Sequence, residues 1–89
     1  KRALAKEHAL PDSWFLIGNG SNELMDLLMR SYCVPGDAMV TSQAAFVAYR
    51  VCAQVLGMKS IETPMTEDFR FDLKKILEAV KSNENAKFV

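Results

Sequence analysis

Metal ligands are scarce in this 89-residue sequence. It holds one histidine and two cysteines, Cys33 and Cys52, which lie 19 positions apart. Because there is no second cysteine pair and no further histidine, the spacing of a zinc site cannot be assembled, and we expect no metal. Both thiols fall in apolar helical stretches. We interpret them as reduced core cysteines of a cytoplasmic protein.

An excess of charge of one sign is also missing. Lysine plus arginine and aspartate plus glutamate number 11 each, so the formal net charge is zero. Since proteins that bind nucleic acid usually carry a basic excess, we expect no nucleic-acid partner. No apolar run approaches the roughly 18 residues that span a bilayer, and we expect no membrane contact. The charged segment Lys1-Arg2-Ala3 is not typical of a signal peptide.

Both ends of the chain favour a fragment. The first residue is a lysine that leads directly into helical sequence, and Lys87-Phe88-Val89 stops where an apolar strand begins. We therefore expect residues 1–89 to form one incomplete domain.

Hydrophobic periodicity changes repeatedly along the chain between helical and strand spacing. Such alternation predicts an α/β domain with a largely parallel sheet between helices. The helical stretches are residues 1–9, the segment after Asn22, residues 46–56 and residues 73–81, the last capped by Asp72; the strand-like runs are residues 14–17, 38–41, 59–63 and 87–89.

The sharpest local pattern is residues 18–23, Gly-Asn-Gly-Ser-Asn-Glu, between a predicted strand and an amphipathic helix. The glycines allow a tight turn, and the first helical amides, at Ser21 and Asn22, suit a phosphate group. A turn without ligand, with Ser21 or Asn22 capping the helix, explains the pattern equally well. A dinucleotide fingerprint needs a third glycine where Glu23 stands, and no Gly-Lys-Ser or Gly-Lys-Thr of a P-loop occurs.

A second pattern is the aromatic pair Phe46 and Tyr49 after the second predicted strand. An aromatic side chain at the carboxyl end of a strand can cover a planar ligand ring. Placement of both rings in the core is the competing interpretation. With one histidine, no Ser-His-Asp or Cys-His set can be assembled, so we assign no catalytic residue.

Four motifs, in order, resemble histidinol-phosphate aminotransferases, enzymes of the fold-type I group that depends on pyridoxal 5'-phosphate (PLP). The similarity covers nearly the whole chain from Trp14 onward. The motifs are Ile-Gly-Asn-Gly-Ser-Asn-Glu-Leu at 17–24, Cys-Val-Pro-Gly-Asp at 33–37, Ser-Gln-Ala-Ala-Phe-Val-Ala-Tyr at 42–49 and Phe-Arg-Phe-Asp-Leu at 69–73.

The resemblance implies a three-layer αβα large domain, of which residues 1–89 are the N-terminal part. It implies that the amides of Ser21 and Asn22 hold the PLP phosphate, that Glu23 belongs to the same phosphate cup, and that Phe46 stacks on the pyridine ring. Tyr49 lies near that ring wall. One departure is Ala44-Ala45, where the family often has Pro-Thr.

The resemblance further implies transfer of an amino group between histidinol phosphate and 2-oxoglutarate in histidine biosynthesis, by a parent enzyme that is a homodimer. Another class I/II aminotransferase, for an aromatic or small amino acid, is the first alternative, and a non-catalytic phosphate-binding α/β fragment is the second. The Schiff-base lysine of the family has no match among Lys59, Lys74, Lys75, Lys81 and Lys87. The 89 residues alone are therefore predicted to be inactive.

The resemblance also predicts an exposed strand edge. Residues 14–17 would pair, in the family's sheet, with strands encoded after residue 89. Because an unpaired apolar strand invites pairing with another chain, we expect these residues either to belong to a longer chain or to self-associate.

Overall fold

Helices and strands alternate along the computed structural model, which describes residues 1–89. A short 3-10 turn at Asp12–Trp14 follows the first helix. The helices are α1 (Arg2–His8), α2 (Gly20–Tyr32), α3 (Ala48–Val55) and α4 (Leu73–Ser82), and the strands are β1 (Ala38–Ser42), β2 (Lys59–Thr63) and β3 (Ala86–Phe88).

The three strands form one parallel sheet in the order β2-β1-β3. The chain moves from β1 to β2 in one direction and from β2 past β1 to β3 in the other. Because such crossovers are right-handed, α3 and α4 lie on opposite faces of the sheet. With α2 packed beside α3, the result is three layers. The predicted α/β class with a parallel sheet is confirmed.

The core lies where α2 and α3 meet the sheet. Its fully buried members are mostly methionines, whose unbranched side chains fill irregular space between helices and strands. β1 is the central strand, and Ala38, Met39 and Val40 are each no more than 3% exposed. The core cluster consists of Met25, Met29, Met39, Ala53 and Met58.

The fourth helix begins as the sequence predicts. Asp72 precedes it with extended backbone, and its Oδ1 accepts a hydrogen bond of 3.2 Å from the amide of Lys75. The Ile76 amide also donates to the Asp72 carbonyl at 3.0 Å. The first bond satisfies an amide that a helix start leaves without an intrahelical partner, and the second is the first i→i−4 bond of the helix.

The predicted strand at residues 14–17 is wrong for this structure. Trp14 closes the 3-10 turn, and Phe15 has extended backbone without a ladder partner. Extended sequence becomes a strand only when a neighbour accepts and donates its backbone hydrogen bonds. No described strand lies beside this segment, and Trp14 and Leu16 are 72% and 59% exposed.

Two helix starts also differ from prediction. α2 begins at Gly20, ahead of the residues expected to cap it, and α3 begins at Ala48, two residues after Phe46. Phe46 therefore lies in the connection between β1 and α3, where its ring is less constrained than it would be inside a helix.

Candidate functional site: a phosphate cup and a ring wall

The turn before α2 depends on two glycines. At Gly18, a Cβ would lie 2.8 Å from Leu24 Cδ2, so any larger residue would push the turn away from the helix that follows it. Gly20 has φ +80°, a left-handed conformation that costs other L-residues about 1–2 kcal/mol. Together they let the chain enter α2 abruptly, with its first amides facing outward.

Those first amides have no partner within the protein. The backbone N–H groups of Gly20, Ser21 and Asn22 donate to no carbonyl and to no side chain. Asn19, the residue before the helix, forms no side-chain cap. The predicted cap by Ser21 or Asn22 is wrong, because both residues lie inside the helix. What remains is a row of free donors at the positive end of the helix dipole. Such an arrangement is chemically suited to an anion.

Glu23 closes one side of this turn. Its Oε1 lies 3.5 Å from the position that a Cβ on Gly18 would occupy, so the carboxylate folds back over the turn. As an acidic residue in the first turn of α2, it interacts favourably with the helix dipole. The side chain forms no hydrogen bond or ion pair.

Phe46 presents its ring beyond the carboxyl end of β1. The residue is 59% exposed, so the interpretation that places it in the core is wrong. Tyr49, one helical turn later, is half-buried against the methionine core. The two rings are perpendicular, at 88°, with centroids 6.3 Å apart. One aromatic residue is therefore anchored in the core and the other projects outward.

A cavity of about 520 Å³ lies between the first turn of α2 and Tyr49. Ser21 and Tyr49 both line it, as do Thr41 and Ser42 at the end of β1. Most of the other lining residues are apolar side chains from α2, α4 and β3. Ser21 and Tyr49 thus line the same cavity. Asn22, Glu23 and Phe46 do not line it.

The sequence did not predict that Ser42 joins the end of β1 to the loop after β2. The Ser42 side chain is 2% exposed, and its Oγ donates a hydrogen bond of 2.8 Å to Met65 Sδ, which ties the end of β1 to the loop after β2. Ser42 is buried because it ends the central strand of the sheet. The sequence alone does not show which strand is central, so it gives no signal for this burial.

Arg30, in the last turn of α2, and Cys33, just after it, have raised pKa values, and both lie away from the cup. Burial raises the pKa of the Cys33 thiol, and the nearby Asp37 raises it further, while Lys87 opposes the change. A hydrogen bond from Arg30 Nε to Asp26 Oδ2, 2.8 Å long, raises the pKa of the Arg30 guanidinium. Both groups lie toward the opposite end of α2 from the free amides.

No group of three or more histidine, cysteine, aspartate or glutamate side chains is arranged to hold a metal ion. No helix has both the length and the apolar character that crossing a bilayer requires.

Several known proteins with similar sequences are named histidinol-phosphate aminotransferases. The histidinol-phosphate aminotransferase of Bdellovibrio bacteriovorus is 47% identical over 75 residues, which are 84% of this chain and 20% of that protein. Histidinol-phosphate aminotransferase 1 of Psychrobacter arcticus is 39% identical over 89 residues, the whole of this chain and 23% of the relative. The chain therefore spans about a fifth to a quarter of the length of these relatives.

Solved structures agree in fold. Histidinol-phosphate aminotransferase from Sinorhizobium meliloti, in complex with pyridoxal-5'-phosphate, superposes with a TM-score of 0.88 at 25% identity, over 94% of this chain and 23% of that one. A putative histidinol-phosphate aminotransferase from Erwinia carotovora atroseptica gives a TM-score of 0.87 at 22% identity over 93% of this chain and 24% of that one, which supports the fold alone. The family model described as aminotransferase class I and II matches residues 2–89. This chain therefore belongs to the class I and II aminotransferase family.

Proposed function

We propose that this chain is the N-terminal part of the cofactor-binding large domain of a PLP-dependent aminotransferase that exchanges an amino group between histidinol phosphate and 2-oxoglutarate. The observation that carries the proposal is the row of three unpaired amides at Gly20, Ser21 and Asn22, beside a cavity that Ser21 and Tyr49 line. Support for the substrate comes from the names of the relatives.

The chemistry of these residues fits PLP. The cofactor has a phosphate monoester at one end and a flat aromatic ring at the other. Exposed amides at a helix start suit the phosphate, and an outward-facing phenyl ring suits the pyridine ring. The S. meliloti structure, which contains this cofactor, shares the fold of the segment over nearly all of its length.

In this proposal, the amides of Gly20, Ser21 and Asn22 donate hydrogen bonds to phosphate oxygens. Bonds of this kind to an ionised acceptor contribute about 1.5–3 kcal/mol each when water is excluded. Because the donors belong to the backbone of a helix, they stay aligned without any side chain losing rotamer freedom. Glu23 carries a negative charge itself, so we assign it to the wall of the turn against Gly18 and not to contact with the phosphate.

Phe46 forms the ring wall in the same proposal. Its flat face limits how far a bound ring can tilt and shields that face from water. PLP supplies an electron-withdrawing ring that stabilises charge at the substrate carbon during amino transfer. This chain contributes binding and orientation, and we propose that the lysine which attaches the cofactor and the groups that grip the substrate are encoded elsewhere.

We also propose that the parent protein is a cytoplasmic homodimer acting on a small amino-acid-like substrate. Support comes from the apolar side chains that this segment leaves exposed, among them Trp14, Leu16 and Ile17. In a complete large domain, further strands and a second subunit would cover such surface. Both thiols are free, as is usual for proteins of a reducing compartment.

The test is amino transfer by the full-length protein supplied with PLP. Glutamate formation from 2-oxoglutarate should be at least about tenfold more efficient, in kcat/KM, with histidinol phosphate than with phenylalanine or alanine. A preference for phenylalanine or alanine would replace the substrate and keep the enzyme class. Absence of transfer from every donor, with PLP bound or not, would favour the non-catalytic phosphate-binding alternative.

A second measurement addresses the chain by itself. The 89-residue segment should form no borohydride-stable link between PLP and any of its lysines. A trapped lysine within residues 1–89, located by peptide mass spectrometry, would overturn the assignment of cofactor attachment to another part of the protein.

A further inference from the structure

We infer that Tyr49 is the positioning residue for the ring wall: its edge-to-face contact holds Phe46 in the orientation that receives the cofactor ring. The inference rests on the proposed function and deepens it, because it assigns a role to a residue that need not touch the cofactor. It starts from the unequal anchoring of the two aromatic residues.

Phe46 has little to hold it in place. It is 59% exposed, lies before the first residue of α3, and does not line the cavity. A phenyl ring in such a connection can change rotamer at little cost unless a neighbour restricts it. Burial of Phe46 itself therefore cannot fix the plane of its ring.

Tyr49, unlike Phe46, is anchored by the core. It lies in the first turn of α3 and packs against the methionine core formed by Met25, Met29 and Met39 with Ala53 and Met58. Its amide donates to the Phe46 carbonyl at 3.2 Å, which fixes the backbone between the two residues. The phenol ring is thus packed against the buried core of the molecule.

The contact between the rings has a preferred geometry. The planes meet at 88° with centroids 6.3 Å apart, within the range in which edge-to-face aromatic pairs attract. Rotating Phe46 would break this contact, so the pair selects one ring orientation. Since no hydrogen bond involves the Tyr49 hydroxyl, the ring performs this role and the hydroxyl does not.

The position of Tyr49 also connects the wall to the cup. Tyr49 and Ser21 line the same cavity, so the residue that orients Phe46 faces the space next to the free amides of α2. One side chain thereby links the core, the ring wall and the cavity beside the phosphate cup.

The experiment uses the full-length protein and PLP as the probe, with readouts that do not depend on turnover. The dissociation constant of PLP and the circular dichroism induced in its absorption band report affinity and ring orientation. We compare Tyr49→Leu, which removes the ring, with Tyr49→Phe, which keeps it. Both changes are then repeated in a Phe46→Ala background, and thermal unfolding is followed for every variant. If Tyr49→Leu does not fold, Tyr49→Met, which fills similar volume, takes its place.

Tyr49→Leu should weaken PLP binding about two- to tenfold and reduce the induced dichroism, while Tyr49→Phe should match the wild type. In the Phe46→Ala background, Tyr49→Leu should have no further effect on PLP, because it acts through the missing ring. An equal loss in both backgrounds, or a fall in melting temperature with unchanged affinity and dichroism, would show a merely structural role. If the wild-type protein does not bind PLP, the proposed function fails and this inference fails with it; if it does bind and Tyr49→Leu behaves like Tyr49→Phe, only the inference fails.

Discussion

α2 and α4 differ in whether a side chain accepts hydrogen bonds from the amides of the first turn. Each helix begins with amides that have no intrahelical acceptor. At α4, the Asp72 side chain accepts from Lys75 and its carbonyl accepts from Ile76. At α2, Asn19 stands in the corresponding position, yet its side chain accepts from none of the first amides.

The difference separates a structural helix start from one that is available to a ligand. Asp72 has extended backbone, which directs its carboxylate back over the first turn. The backbone of Asn19, with φ −83° and ψ 74°, is close to that of Asp72, with φ −84° and ψ 92°. The two helix starts differ in the next residue, because Gly20 has φ +80° and the first residue of α4 is a leucine without positive φ.

The largest effect on PLP binding is expected when proline removes one free backbone N–H group from the first turn of α2, and the matched control removes one from α4. Ser21→Pro deletes a free donor of the proposed phosphate cup, and Lys74→Pro deletes an equally unpaired donor in the first turn of α4. Proline is tolerated in the first helical turn, where the amide has no partner. In the full-length protein, Ser21→Pro should weaken PLP binding by about 1.5–3 kcal/mol. Lys74→Pro should leave it unchanged, as measured by fluorescence titration. Similar losses in both variants would mean that the two helix starts do not differ in function.

A smaller effect is expected from closing the space at Gly18. In Gly18→Ala, the new methyl group would lie 2.8 Å from Leu24 Cδ2, so the turn or the helix must shift, at a cost of about 1–3 kcal/mol in the free energy of unfolding. Urea denaturation measures this cost. The double variant Gly18→Ala/Leu24→Ala should lose less than the sum of the single variants, because the clash disappears with the leucine side chain. Strict additivity would show that Gly18 is required for another reason.

The smallest effect concerns the caps themselves. Asp72→Ala should destabilise the protein by about 1 kcal/mol, since it leaves the Lys75 amide without its acceptor. Asn19→Ala should cost much less, because the Asn19 side chain caps nothing. Chemical denaturation of both variants compares the helix starts directly. Equal destabilisation would indicate that Asn19 does cap α2 in solution, and the amides would then be less available to phosphate.

Much of the layered architecture was predictable from sequence. The cap at Asp72, the strand at Lys59–Thr63 and the alternation of elements all follow from local patterns, and the structure confirms them. The strand expected at residues 14–17 failed because pairing is not a local property. Its apolar residues are typical of a buried strand, but no other strand pairs with them.

The candidate site, too, was predictable from the sequence only in part. Residues 18–23 and Phe46 were identified from the sequence and from the family it resembles, and their direct contact with a cofactor stays a prediction. The failure of Ser21 and Asn22 to act as caps was not predictable, because the helix start moved forward to Gly20. Neither was the packing of Tyr49 on Phe46, since the same two aromatics also suited a buried core.

By itself, the sequence determined the order of helices and strands, the glycine turn before α2 and the family to which the chain is similar. These properties depend on residues close together in the chain, whose periodicity and backbone preferences act locally. Only the tertiary structure decided that the α2 amides remain unpaired, that Ser21 and Tyr49 share a cavity, and that Phe46 projects outward while Tyr49 is anchored. These properties depend on which distant segments come into contact, and β1 brings them together at its carboxyl end.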